Sequence, residues 1–261
     1  MKSIILVATH KNYDFPNDSL YVPIQLGAAL REHLSNCKFR DNEGINISIK
    51  NPNYSELTAL FWFWKNKKYI TYDVVGLVHY RRYFKGKLSF KGNKILSKDE
   101  IDIYMSSYDI LLPKKRNYII ETVRSHYKHA HFEKDLNLTE KIIKELYPEY
   151  FNVFNEVMNK TTLHLYNMFI MRRELYVQYC EWIFKILFEV EKYLDIENYD
   201  KYQRRVFGFL AERLFNVWVK YQQDKKGIKI KELKVINIEG EKFLYKGIKF
   251  MKRKLINERT D

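Results

Sequence analysis

Apolar positions fall into short continuous runs separated by polar or Pro- and Gly-containing stretches, and the runs differ in period along the chain. Residues 4–8 and 74–78 are apolar at nearly every position, which suits buried strands covered on both faces. Residues 13–21, with Pro16, Asn17 and Asp18, read as loop, and residues 41–46 as a turn. Residues 23–34 are predicted helical, with Ile24, Ala28 and Leu34 turned inward. Asn53-Tyr54-Ser55 then caps a predicted helix to about residue 65, in which Leu57, Leu60, Phe61 and Trp64 follow an i, i+3, i+4, i+7 stripe. The strand at 73–80 completes a strand–helix–strand unit, the mark of a parallel sheet. A strand at 108–112, mostly helical structure over 118–159, a strand at 165–171 and helices over 174–194 and 202–221 follow. The expected architecture is therefore α/β, with one body over residues 1–222.

Residues 223–261 read as a basic, helical C-terminal extension. Leu244, Ile248, Met251 and Leu255 share one helical face, while Lys242, Lys246, Lys249 and Arg253 repeat that spacing about 200° around the helix. Such a helix suits an anionic membrane surface or, equally, packing on the body with its lysines in solvent.

Composition narrows the class. At 261 residues, with 46% hydrophobic and 16% aromatic content, the chain has enough apolar material for a large core, which excludes a disordered protein. The formal charge of +14 favours polyanionic partners, although the lysines are scattered. Cys37 and Cys180 lack CxxC spacing, so free thiols are expected rather than a structural zinc site. The apolar run at 4–8 is too short for a signal peptide, and no stretch reaches the ~20 apolar residues of a membrane span. A cytoplasmic protein, or one bound peripherally to the inner face of a membrane, is the expectation.

Candidate chemistry starts at the exit of the strand at 73–80, which reads His79-Tyr80-Arg81-Arg82. Ligands of open α/β sheets bind outside the carboxyl ends of strands, so these side chains suggest an anion site, best matched by a diphosphate. The alternative is a solvated basic turn. If alternation continues, His79 and Arg81 share one face and Tyr80 and Arg82 the other.

Several stretches together resemble a known family: Asp41-Asn42-x-Gly44-x-Asn46, Asn53-Tyr54-Ser55-Glu56-Leu57, Gly76-Leu77-x-His79-Tyr80-Arg81-Arg82-Tyr83, Tyr108-Asp109-Ile110-x-Leu112-Pro113, Tyr166-Asn167-Met168-Phe169 and Arg205-x-x-Gly208-Phe209-x-x-Glu212-Arg213. They are similar to the bacterial capsular and exopolysaccharide glycosyltransferases first catalogued as a domain of unknown function, some of which are galactofuranosyltransferases. The resemblance runs over roughly residues 3–220. It implies a single GT-A-like, Rossmann-like domain, a UDP-sugar donor and a glycan acceptor carried on a lipid diphosphate.

Under that resemblance, Thr9, His10 and Lys11 at the first strand's exit meet the nucleotide, together with His79, Tyr80 and Arg205. Asp41, Asn42 and Asn46 offer hydrogen bonds to uracil or ribose, or else brace a turn. Tyr54 offers a stacking surface. Many GT-A enzymes carry Asp-x-Asp where this chain has His79-Tyr80-Arg81-Arg82. Arg81 or Arg82 would then stabilise the leaving diphosphate, and no cofactor is required, with a divalent Mn or Mg ion as the open alternative.

Arg205, Gly208 and Glu212 share a helix face. Glu212 is the first candidate for the base that deprotonates the acceptor, or else a salt-bridge partner of Arg205 or Arg213. Asp109 is the second. Lys114, His126, His131 and Asn167 are candidate acceptor contacts. His126, His129 and His131 carry no metal-site pattern, and a metal there is not expected. Two other readings compete with the transferase. One is a nucleic-acid-binding module, without RNP, helix-turn-helix or zinc motifs to support it; the other is a non-catalytic member of a polysaccharide assembly complex.

Overall fold

The computed structural model describes residues 1–239. Its strands and helices run in the order β1 (Ser3–Thr9), β2 (Tyr21–Gln25), β3 (Phe39–Arg40), α1 (Asn51–Tyr54), α2 (Leu57–Lys65), β4 (Val74–His79), β5 (Arg82–Phe90), β6 (Asn93–Ile95), α3 (Lys98–Met105), β7 (Ile110–Pro113), β8 (Arg116–Asn117), α4 (Val123–Ala130), α5 (Glu133–Leu146), α6 (Phe151–Met158), β9 (Thr162–Leu163), β10 (Phe169–Arg172), α7 (Arg173–Tyr193), α8 (Val206–Lys226), β11 (Ile230–Leu233) and β12 (Val235–Asn237).

The main sheet has the order β11-β7-β10-β4-β1-β2-β3, and only β10 runs against its neighbours. This mostly parallel, helix-covered sheet is the architecture expected from the apolar runs. Strand alternation divides the core between its faces. Ile4, Leu6, Val75, Leu77 and Phe169 point to the large helical side, whereas Ile5, Val7, Val74, Val78 and Ile170 point to the side that holds Ile101 and Met105 of α3.

Four local expectations change. Residues 23–34 contain no α-helix: Tyr21–Gln25 is a strand parallel to β1, followed by a short 3-10 turn at Ala28–Leu30. Pro23 is tolerated because β3 pairs only with Ile24 and Gln25, leaving no ladder bond for the missing N–H. The helix over 53–65 is split, since Ser55 adopts φ 52° between α1 and α2. The strand at 165–171 starts only at Phe169, and its predicted first residues form a loop instead. Finally, the body does not stop at residue 222. The helix α8 continues to Lys226, β11 pairs with β7, and β12 pairs with β5. The predicted basic helix over 242–255 lies outside the described residues. Among those described, no helix is long and apolar enough to cross a membrane.

Candidate active site

A cavity of about 940 Å³ opens beside the carboxyl ends of the parallel strands, walled by the start of α8, the loop before β10 and residues 116–131. Its floor is organised by Tyr166 and Asn167, two adjacent non-glycine residues with left-handed backbone, φ 78° and 51°. Such strain persists where the surroundings over-determine it, commonly at functional sites. The Tyr166 N–H donates to Glu212 Oε1 at 2.7 Å, and the Tyr166 carbonyl accepts from His79 Nε2 at 2.7 Å. Asn167 Nδ2 donates to Glu56 Oε1 at 2.6 Å and to the Gly208 carbonyl at 3.2 Å. One dipeptide thus ties together β4, α8 and the turn before α2.

Glu212 lines the cavity with 20% of its side chain accessible. Burial lifts its carboxyl above the ordinary carboxylate range, against the pull of the adjacent Arg213, whose Nη1 lies 3.2 Å from Oε2. The negative charge of Glu56 pushes it the same way as burial. Gly208, one turn earlier, lets α8 approach α1: a Cβ there would sit 3.2 Å from Ser55 Oγ. Two buried polar atoms of cavity-lining residues, Asn167 Oδ1 and Arg213 Nε, have no hydrogen-bond partner among the described residues. Unsatisfied groups in a cavity wall are where a polar ligand or water is expected.

The side walls are aromatic. His126 stacks on Tyr118 with ring centres 4.0 Å apart, and His131 stacks on Phe209 at 4.0 Å. His126 Nδ1 faces Arg213 Nη2 at 3.5 Å, while His131 Nδ1 donates to Gln203 Oε1 at 2.9 Å. Burial, followed by the Arg213 charge, pushes His126 down to about 4. Burial likewise pushes His131 down to about 3, against its bond to Gln203. Both rings are therefore neutral near pH 7 and present apolar faces. His129 goes elsewhere, to Glu121 at 2.6 Å. Among the described residues, no group of three or more His, Cys, Asp or Glu side chains converges as metal ligands.

At the exits of β1 and β4 a second cluster forms. His10 packs edge-on to Tyr80 at 5.6 Å, and Lys11 lies 5.0 Å from the same ring. His10 is held below its ordinary pKa, first by partial burial and then by the charges of Arg31, Lys11, Arg81 and Arg205, so four cations converge on this spot. Lys11 and Arg81 share the carboxylate of Glu239, at 3.6 and 3.4 Å. Arg205 joins the two clusters, since it also lines the cavity and lies over Phe209 at 5.4 Å.

The pairing of side chains at the β4 exit differs from simple alternation. The strand ends at His79 and turns through Tyr80 and Arg81, so His79 pairs with Arg82 of β5. His79 and Arg82 accordingly face Tyr166, with the Arg82 guanidinium 4.7 Å above its ring, while Tyr80 and Arg81 face His10. Burial, the largest influence, lowers the pKa of His79.

Other candidates are spent inside the protein. Asp109 sits at the opposite end of the sheet, away from the cavity lining, where it pairs with Arg172 at 2.9 Å and accepts the Lys229 N–H at 2.9 Å. Asp41 is fully buried and accepts from Gly27 N (2.7 Å), Ala28 N (2.9 Å), Ser48 Oγ (2.5 Å) and Thr58 Oγ1 (2.5 Å), leaving no lone pair for a ribose. Asn46 closes its own turn through Asn42 O, Gly44 O and the Ser48 N–H. Asn42 lies outside the cavity lining, and its buried Oδ1 has no hydrogen-bond partner among the described residues. Tyr54 is a core residue stacked on Phe207 at 4.5 Å, with no free face for a base. The buried Thr9 hydroxyl donates to Lys11 O at 2.7 Å. Lys114 is exposed on the surface beyond β7. Glu56, Arg213, Tyr166 and Arg31 are the residues that sequence reasoning missed. Of these, Arg213 carried a signal: it is a cation in the apolar run of α8 and is only 3% exposed.

The mostly parallel, helix-covered sheet with a cavity at its strand exits matches the fold of a solved glycosyltransferase. The chain belongs to the family described as Domain of unknown function (DUF4422), whose model matches residues 4–224. Over 93% of its length it superposes on the apo structure of the WbbM bifunctional glycosyltransferase, with 32% sequence identity and a TM-score of 0.80. It covers 46% of that chain, so it spans about half of the two-activity protein. Core-mannan synthase A of Aspergillus fumigatus in its Mn/GDP form shows 11% identity over 91% of this chain and 75% of its own, with a TM-score of 0.37. The S. cerevisiae mannosyltransferase Ktr4p shows 12% identity over 80% and 53%, with a TM-score of 0.30. Both likenesses are too slight to bear on this chain's chemistry. No curated protein matches it.

Proposed function

We propose that the chain is a hexosyltransferase that moves a hexose, with galactofuranose the first candidate, from a UDP-sugar to a lipid-linked oligosaccharide during capsular or exopolysaccharide synthesis. The observation that carries this reading is the desolvated Glu212 carboxylate on the cavity floor, linked through Arg205 to the cations at the β1 and β4 exits.

The donor diphosphate lies against Lys11, Arg81 and Arg205. It takes the place of Glu239, whose solvent-exposed pairing there contributes little and is easily displaced. The acceptor sugar lies between the Tyr118–His126 and His131–Phe209 stacks, whose neutral rings suit the C–H face of a pyranose or furanose. Glu212 takes the proton of the acceptor hydroxyl as that oxygen attacks C1. The bond from C1 to the β-phosphate oxygen breaks, and UDP leaves with its charge met by guanidinium groups rather than by a metal. A single displacement of this kind inverts the anomeric centre.

The test is a panel of UDP-hexopyranoses and UDP-galactofuranose, offered with a lipid-linked glycan to the purified chain, with and without EDTA. The expected result is selective turnover that survives chelation and falls about 100-fold or more in Arg81→Ala. Turnover abolished by EDTA would remove the guanidinium-for-metal argument, and transfer from no donor would remove the reading itself.

A further inference from the structure

We propose that residues 114–120 form a docking site for an anionic bilayer at the mouth of the cavity. Ile119 and Ile120 are 80% and 76% exposed, the two most exposed large apolar side chains among the described residues. They follow Lys114, Lys115 and Arg116, all exposed, and no acid interrupts the segment. The next acid, Glu121, is buried and occupied by His129.

Ile119 holds φ 66°, a left-handed backbone that β-branched residues rarely adopt, yet its side chain gains no packing in return. The turn is built rather than loose. Asn117 Oδ1 accepts the Ile119 N–H at 2.8 Å, the Tyr118 carbonyl accepts the Ile120 N–H at 2.8 Å, and β8 anchors the root on β9. Tyr118 between them turns inward onto His126. Cations at the root, an aliphatic pair at the tip and an aromatic ring facing the cavity are the composition of an interfacial anchor on anionic lipid. Resting on the transferase reading, this docking delivers a membrane-borne acceptor straight to the cavity entrance.

The test places an environment-sensitive fluorophore on Ile120→Cys in the full chain, where the native Cys37 and Cys180 are buried. On vesicles of phosphatidylglycerol and phosphatidylcholine, without sugar substrates, the emission shifts to the blue. It does not shift on phosphatidylcholine alone, and added salt reverses it. In the unlabelled chain, the Ile119→Ser, Ile120→Ser pair weakens vesicle partitioning about tenfold or more. Each of Lys114→Gln, Lys115→Gln and Arg116→Gln weakens it about fivefold. Ile119→Gly serves as the folding control: it keeps or raises the unfolding midpoint while still lowering partitioning, which a merely structural isoleucine would not do. Unchanged emission overturns the proposal, whether the chain stays in solution or co-sediments through another surface. A chain that docks without transferring sugar keeps this site and loses the transferase reading; one that transfers without docking does the reverse.

Discussion

Glu212 is basic because of what surrounds it, and its neighbours come from distant parts of the chain. A carboxyl held above its ordinary range loses its charge, and with it the ability to accept a proton, at a higher pH than a free glutamate would. Turnover is therefore expected to fall on the acid side as Glu212 protonates, at a pH above the range of an unperturbed carboxylate. His126 and His131, pushed down to about 4 and about 3, stay neutral through that fall and add no separate inflection near neutrality. Glu212→Gln should lower kcat by about 10²- to 10⁴-fold and abolish the acid limb, as read from a pH–rate profile with circular dichroism as the folding control. Glu212 was legible in the sequence because Arg205, Gly208 and Glu212 repeat at helical spacing. Glu56 was not, because its partner Asn167 is 111 residues away and no local pattern encodes that meeting. The internal partners of Asp109 and Asp41 were hidden for the converse reason: an acid beside a strand or a turn looks the same whether it waits for a ligand or for Arg172.

At the scale of elements, apolar period identified β1, β4, α7 and α8, whose burial is decided by local composition. It failed at β2, where Ile24 and Ala28 fit a helical stripe but the ladder to β1 prevails. The chain leaves β2 through Gly27, in left-handed backbone at φ 57°, and Asp41 accepts the N–H groups of Gly27 and Ala28. Asp41 is thus the clasp between β2, the 3-10 turn at Ser48–Lys50 and α2. Asp41→Ala is expected to cost about 3 kcal/mol or more in urea unfolding, because buried donors lose a charged acceptor. An unchanged unfolding free energy with a raised donor KM would instead make Asp41 a nucleotide ligand. The hairpin exit of β4 shows the same limit of local reasoning: alternation applies only while the strand continues, and it stops at His79.

For the molecule as a whole, the sheet closes with residues that look from sequence like an appendage. Strand β11 covers the edge of β7, β12 covers β5, and the Ile238 N–H bonds the Arg81 carbonyl at 2.8 Å. A chain ending at Gly227 should lose about 2 kcal/mol, seen as roughly 5 °C in Tm, and tend to aggregate through the two bared edges. The charge of +14 pointed toward a polyanion without locating it, because scattered lysines conceal the few arginines that converge near His10.

The paired left-handed residues Tyr166 and Asn167 carry one consequence for how such a site can vary. The peptide that holds Glu212 also carries the ring beneath Arg82 and the amide that grips Glu56. A replacement that relaxed this kink would loosen the holds on Glu212, Arg82 and Glu56 together. On the transferase reading proposed above, new sugar preferences are therefore more accessible through the aromatic walls, which can change shape while the floor stays as it is.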